Sequence, residues 1–162
     1  MDTIPTHPMH TWLKKLVGHW DVSATCNLPD GSTETAESKE TVRMLGEYFA
    51  VAEQIGNVPG CEEPIETSFT VGYDPDSNTF PACWCCSAMP RMFTYEGTLS
   101  DDETTLTLEC EAPDMEDMSI NRNYRDVITI VSATERTFHT MIQQDDGSWH
   151  KFMWSTYTKT NH

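Results

Sequence analysis

The fold is decided by the stretch His7–Leu28, which reads HPMHTWLKKLVGHWDVSATCNL. Pro8 suits the first position of a helix, and the apolar residues after it recur at three- and four-residue spacing: Met9, Trp12, Leu13, Leu16 and Val17. After Gly18 the period changes to two, with apolar or small residues at Trp20, Val22, Ala24, Cys26 and Leu28. We therefore expect a helix over about residues 7–17 that covers one end of a rolled sheet, whose first strand begins near residue 19.

Nine more alternating segments follow, separated by residues typical of turns such as Pro29-Asp30-Gly31-Ser32 and Asp145-Asp146-Gly147-Ser148. Their short connections favour antiparallel neighbours. We predict one domain over residues 1–162, mainly β, with about ten strands between residues 19 and 160. A sandwich and a barrel both satisfy this pattern. An antiparallel up-and-down β-barrel is favoured, because closure removes exposed sheet edges and a short helix can cover a barrel end.

The charge balance restricts the partners of this chain. It has 10 Lys and Arg against 26 Asp and Glu, a formal net charge of −16. Phosphate backbones and anionic membranes need clustered positive charge, so we expect no nucleic acid and no membrane as partner; a homo-oligomer remains possible. Because the N-terminal residues show no signal-peptide pattern and no run of about 20 apolar residues occurs, the expected location is the cytoplasm. The six cysteines would stay reduced there.

Gly18-His19-Trp20 resembles the Gly-X-Trp opening of lipocalins and other calycins. The resemblance implies that Trp20 packs at the closed end of the barrel, next to Gly18. The helical spacing separately places Trp12 among the residues that cover this end. In those families a basic residue near the end of the last strand covers this tryptophan. Lys159 is its counterpart here.

A second resemblance covers nearly the whole chain. It rests on six segments: Glu40-Thr41-Val42-Arg43, Gly72-Tyr73-Asp74-Pro75, Tyr95-Glu96-Gly97, Leu106-Thr107-Leu108-Glu109, Tyr124-Arg125-Asp126-Val127-Ile128 and Asp146-Gly147-Ser148-Trp149. Together they resemble a bacterial calycin-like family of unknown function, family number 1579. The resemblance implies an up-and-down β-barrel and no established activity.

Several aromatic and polar residues on the predicted strands are candidates for lining a ligand cavity. The apolar candidates are Trp84, Tyr95, Met141 and Trp154, and the polar ones are Tyr124, Arg125 and His139. Alternation sets Tyr124 and Asp126 on one face and Arg125 on the other. If Arg125 points inward it needs a carboxylate partner such as Glu53 or an anionic ligand; if it points outward it pairs with the acidic surface.

Other clusters favour structural interpretations. Cys83 and Cys86 have C-x-x-C spacing, but residues three apart on a strand point to opposite faces, so packing is favoured over metal binding. The acidic residues Asp114, Glu116 and Asp117 lack EF-hand spacing and predict a solvated loop. His7 and His10 are expected in solvent at the start of the helix. We predict no metal site and no catalytic residue, and no cofactor can be named.

Four functions stay open. The favoured one is a barrel that binds a small, largely apolar molecule. The alternatives are a haem-binding barrel with His139 as iron ligand, a small-molecule enzyme that pairs His139 with a carboxylate, and a filled structural barrel without a ligand. No nucleophile-elbow, zinc-protease, Walker or dinucleotide-binding motif occurs in the sequence.

Overall fold

The computed structural model describes residues 1–160 of the chain. Ten antiparallel strands form a closed barrel in which each strand pairs with its neighbours in sequence and β1 pairs with β10, which confirms the predicted up-and-down topology. The strands are β1 (Gly18–Asn27), β2 (Thr33–Leu45), β3 (Phe49–Gly56), β4 (Ile65–Gly72), β5 (Phe80–Cys86), β6 (Met89–Leu99), β7 (Thr105–Pro113), β8 (Asn121–Ile130), β9 (Glu135–Gln143) and β10 (Trp149–Thr160).

The N-terminal helix is confirmed, but its second half is tighter than an α-helix. α1 spans Pro8–Trp12, and a 3₁₀ turn continues it over Leu13–Leu16. No helix in residues 1–160 combines the length and the apolar character that a membrane crossing requires.

The expected solvent position of His10 is wrong. His10 is only 3% exposed, because its ring packs against those of Tyr48 and Tyr73. Its Nδ1 accepts a hydrogen bond from the backbone N–H of His7 at 2.8 Å, and its Nε2 donates to the Tyr73 carbonyl at 2.9 Å. The ring therefore links the helix start to the barrel.

The helix closes one end of the barrel. Trp12 is buried, donates from Nε1 to the Glu103 carbonyl at 2.8 Å, and meets the Phe80 ring edge-on at 5.7 Å. Trp20 is also buried and donates to the Leu16 carbonyl at 2.9 Å. These contacts tie the helix to three separate parts of the barrel wall.

Gly18 and Lys159 pack together beside Trp20 at this closed end. The Lys159 Nζ lies 5.6 Å from the centre of the Trp20 ring, as the lipocalin resemblance implied. Gly18 has φ of +140°, and a Cβ there would lie 2.6 Å from the Lys159 Cε. The positive φ favours glycine at this position, whereas the flexible Lys159 side chain could move away from a Cβ.

The opposite end carries the connections after β1, β3, β5, β7 and β9, and no helix of residues 1–160 covers it. In this open half β6 and β7 separate. Their ladder runs from Leu99↔Leu106 only as far as Glu96↔Glu109, although both strands continue toward the open end on their other sides. We call this gap the β6–β7 seam.

Candidate functional site: the barrel cavity

A cavity of about 330 Å³ occupies the interior between the helix and the open end. Apolar and aromatic side chains from every strand make up most of its wall, including Val42, Ala52, Phe69, Val71, Trp84, Phe93, Tyr95, Tyr124, Ile128, Phe138, Phe152 and Met153. They reach the interior because alternate residues of a strand point to the same face. The barrel is therefore hollow between the helix and its open end.

Three of the predicted site residues line this cavity: Trp84, Tyr95 and Tyr124. The Trp84 ring lies 5.6 Å from that of Phe93, and the Tyr95 ring lies 6.5 Å from that of Phe69. The Tyr124 hydroxyl donates to the Pro113 carbonyl at 2.9 Å. Their role in binding stays a prediction.

Arg125 lies on the outer face of the barrel and does not line the cavity, where it was one of the predicted polar candidates. Its Nε donates to Glu109 at 2.8 Å, and its guanidinium carbon lies 4.1 Å from the centre of the Trp149 ring. The inner positions of β8 are taken by Tyr124, Asp126 and Ile128. Of the two alternatives for Arg125, the structure shows pairing with an acidic surface residue.

His139 and Met141 also face outward, which corrects their expected place in the cavity. The inner face of β9 carries Arg136, Phe138 and Thr140 instead. Partial burial, with a contribution from Lys151, lowers the pKa of His139. Both faces of this strand mix polar and apolar residues, so the pattern alone did not distinguish them.

Trp154 is likewise outside, and the cause is a β-bulge. The register of β10 against β9 shifts between Lys151 and Met153, so that Phe152 and Met153 both reach the cavity. Because of this extra residue, Trp154 no longer lies on the same strand face as Phe152 and points outward. Its ring lies on the outer surface, 5.7 Å from the Lys151 Nζ.

Sequence reasoning missed a buried ion pair beneath the cavity. Arg136 and Glu40 are 4% and 7% exposed and form a salt bridge across the barrel. The guanidinium carbon lies 4.1 Å from the Tyr157 ring centre and 4.7 Å from that of Trp20. Burial raises the pKa of Glu40, and the Arg136 charge opposes the rise. The signal that was missed is the alternation of each strand. Arg136 lies on the same strand face as Phe138, and Glu40 lies on the same face as Val42.

A second polar group extends from this ion pair. The Tyr157 hydroxyl donates to Gln54 at 3.4 Å, and the Gln54 amide donates to the Ser38 hydroxyl at 2.7 Å. Burial raises the pKa of Tyr157. These hydrogen bonds pair Tyr157, Gln54 and Ser38, whereas the buried Nε of Arg136 has no hydrogen-bond partner in the described part of the chain.

Asp126 is the polar residue that faces the middle of the cavity. Its carboxyl group borders the open space of the cavity, and the residue as a whole is half-buried. Burial raises its pKa to about 6, although the hydroxyl groups of Thr140 and Tyr95 act in the opposite direction. Burial and this carboxyl group raise the pKa of Tyr95, and they raise that of Cys110 to about 12. Tyr95 and Cys110 are therefore neutral at pH 7.

The acidic loop after β7 is not fully solvated as expected. Asp114 is 8% exposed, pairs with Arg122, and accepts backbone hydrogen bonds from Glu116 and Asp117 at 2.7 and 3.0 Å. These bonds lower the pKa of Asp114. The folded loop carries Met115 to the edge of the cavity.

The cysteine cluster does not contribute a site. Cys83 and Cys85 alternate with the buried Ala82 and the cavity-lining Trp84, so their side chains point outward. Within residues 1–160, no three His, Cys, Asp or Glu side chains are grouped so that they could hold a metal ion.

An outer groove of about 530 Å³ lies against the same wall. Arg125 and Trp149 border it, and it shares Cys110 and Tyr124 with the internal cavity. These two side chains lie beside the β6–β7 seam. The cavity and the outer groove are therefore separated there by these two side chains.

Solved structures of other proteins share this architecture. Rv2717c from M. tuberculosis is 10% identical, with a TM-score of 0.65, over 97% of this chain and 100% of that one. The S-type phycobiliprotein lyase CPES from Guillardia theta is 12% identical, with a TM-score of 0.62, over 95% and 93%. At these identities the likeness shows the fold alone.

No curated protein matches the chain in sequence. The model of the family described as "Protein of unknown function (DUF1579)" matches residues 5–159. The chain belongs to this family.

Proposed function

We propose that the barrel binds a small, largely apolar molecule inside its open half. The observation that carries the proposal is the cavity of about 330 Å³, walled by aromatic and aliphatic side chains with few polar groups. Binding sites for small molecules have this composition. Their volumes run from roughly 300 to 1,000 Å³, and this cavity lies at the low end of that range. At roughly 30 Å³ per atom, the volume of a water molecule, the cavity accommodates about ten non-hydrogen atoms.

The open end supports the same proposal, because it gives a ligand access. Met89 and Met115 line the cavity and are 44% and 69% exposed, so they border both the interior and solvent. Methionine side chains are flexible and polarisable, and they adapt to ligands of different shape. The rim can therefore move aside without rearrangement of the strands.

The alternative functions receive less support. No histidine is among the cavity-lining residues of the described chain, and His139 is outside. Haem ligation by an imidazole would need a histidine inside the cavity. An enzyme that pairs His139 with a carboxylate would need His139 there. A filled structural barrel would have no internal space of this volume.

The proposal names the ligand as partner, in keeping with a net charge of −16 that opposes nucleic acids and anionic membranes. A cytoplasmic location and a possible homo-oligomer stay predictions.

Calorimetric titration with phenylbutanol and phenylbutylamine, which share one apolar body, tests the proposal. We expect saturable binding with a negative heat-capacity change, the signature of buried apolar surface. Thr67 lines the cavity, whereas Thr70 on the same strand faces outward. Thr67→Phe should therefore weaken binding at least tenfold, and the matched control Thr70→Phe should leave it unchanged. The proposal is wrong if neither compound binds, or if Thr67→Phe binds both as tightly as the wild type does.

A further inference from the structure

Asp126 differs from the buried carboxylates Glu40 and Asp114. Glu40 pairs with Arg136, and Asp114 pairs with Arg122. Within residues 1–160, no Lys, Arg or His forms an ion pair with Asp126. The carboxylate nevertheless faces the cavity from the middle of β8.

The groups around Asp126 do not neutralise it. Tyr95 on β6, Cys110 on β7, Tyr124 on the same strand, Thr140 on β9 and Tyr157 on β10 face it or the adjoining cavity wall. All are uncharged at neutral pH. The only charged residues nearby in the cavity wall of the described chain are Glu40 and Arg136, whose charges cancel. Once Asp126 is ionised, the cavity therefore carries one net negative charge.

We propose that the ligand is a small amphiphilic amine, whose ammonium group pairs with Asp126 while its apolar body fills the cavity. The inference rests on the proposed function and specifies the class of ligand. A buried charge is costly unless a partner of opposite charge offsets its desolvation. An ammonium group supplies that partner, and its N–H donors fit a carboxylate flanked by two hydroxyl groups.

Anionic ligands fit the same cavity poorly. Within residues 1–160, Arg136 is the one cation in its wall; a terminal nitrogen of its guanidinium pairs with Glu40, while its buried Nε has no hydrogen-bond partner. A carboxylate ligand would place a second negative charge close to Asp126. The overall charge of −16 also raises the local concentration of cations and lowers that of anions.

Three probes of similar size test the inference by calorimetry at pH 8: phenylbutylamine, phenylbutanol and phenylpropionate. We expect the amine to bind at least tenfold more tightly than the alcohol, and the acid to bind most weakly. Asp126→Asn should reduce amine affinity at least tenfold and leave alcohol affinity within a factor of about three. Glu37→Gln removes one negative charge from an exposed position of β2 and should leave all three affinities unchanged, which separates the local carboxylate from the overall field.

A pH series on the wild type gives a readout that does not depend on any variant. Protonation of Asp126 at pH 5 should reduce the preference for the amine over the alcohol severalfold. Because burial also raises the pKa of Glu40 in the same wall, the series is repeated on Asp126→Asn, which should show no such change. Equal affinity for amine and alcohol at pH 8, or a preference that persists in Asp126→Asn, would overturn this inference and leave the proposed function standing. Absence of binding by all three probes would overturn both.

Discussion

At the scale of single residues, Asp126 places a carboxyl group where the fold alone would favour an apolar one. Burial raises its pKa from 3.8 to about 6, so the folded state prefers the neutral acid. At pH 7 the group is nonetheless mostly ionised, and the barrel holds an unpaired charge. Such a residue is expected where binding, not stability, determines the side chain.

We predict that Asp126→Asn stabilises the protein at pH 8. A raised carboxyl pKa stabilises the fold below pH 3.8, and this contribution is lost as pH rises through about 6. One pKa unit corresponds to about 1.4 kcal/mol, so the variant should gain up to about 3 kcal/mol at pH 8 and almost nothing at pH 4. Urea unfolding at both pH values, with Glu37→Gln as control, measures this. An increase in the free energy of unfolding that is the same at pH 4 and pH 8 would contradict the raised pKa of Asp126.

The Glu40–Arg136 pair predicts a different outcome. Arg136→Met leaves Glu40 buried without a counter-charge, and we expect a loss of about 3–5 kcal/mol in the free energy of unfolding. The double variant Arg136→Met with Glu40→Leu should lose less than Arg136→Met alone, since no buried charge remains. A double-mutant cycle from urea unfolding checks this. A double variant less stable than both single variants would show that the pair itself contributes net stability.

These residues also mark the limit of sequence reasoning about the site. Arg125 and Arg136 both sit on strands whose two faces mix polar and apolar residues, and only the phase relative to neighbours such as Phe138 distinguishes them. A shift of one residue exchanges the faces of a strand. Trp84, Tyr95 and Tyr124 were predicted correctly as cavity aromatics, although the strands of Trp84 and Tyr124 also mix polar and apolar residues on both faces.

At the scale of elements, the N-terminal helix is short and depends on tertiary contacts. An isolated helix of five residues is not stable in water. Its stability comes from the burial of Trp12, Leu13 and Leu16 and from the two hydrogen bonds of His10. The helix is therefore part of the barrel's closed end and not an independent unit.

His10→Phe tests this dependence. The substitution keeps an aromatic ring against Tyr48 and Tyr73 but leaves the His7 N–H and the Tyr73 carbonyl without their partner. We expect a loss of about 1–3 kcal/mol in the free energy of unfolding. His19→Phe, at an exposed position of β1, is the matched control and should change stability by less than about 0.5 kcal/mol. Equal effects of the two substitutions would contradict the role given to His10.

The elements themselves were largely predictable. The change of period at Gly18 fixed the passage from helix to strand, and the turn residues separated the ten strands. The β-bulge at Phe152 could not be predicted, because it depends on how β10 twists against β9 and not on local composition. That single extra residue reversed the expected direction of Trp154.

At the scale of the whole molecule, the barrel is closed but not uniform. The β6–β7 ladder ends at Glu96↔Glu109, so the open-end portions of these strands are joined to the barrel from one side only. The cavity and the outer groove come together at this seam, at Cys110 and Tyr124. Closure alone was predictable from the sequence. The seam was not, because the residues on either side alternate normally.

Hydrogen exchange should reveal the seam. Backbone amides of residues 92–95 and 110–112 that face the gap should exchange faster than those of β1, β2 and β10, since fewer strand contacts hold them. Bound phenylbutylamine should slow exchange there more than at the closed end. Mass spectrometry of the deuterated protein, with and without the amine, measures both effects. Uniform protection around the barrel would contradict the separation of the two strands.

The interrupted ladder has a consequence for kinetics. Widening the gap between Tyr95 and Cys110 breaks no backbone pairing of the kind that joins the other strands, so a guest molecule can leave sideways while the rest of the cylinder keeps its register. The dissociation rate of the bound molecule then depends on how often these two strand segments move apart. Its affinity depends on the side chains that line the cavity. Substitutions at this flank should accordingly alter how long a molecule stays without altering which molecule is chosen.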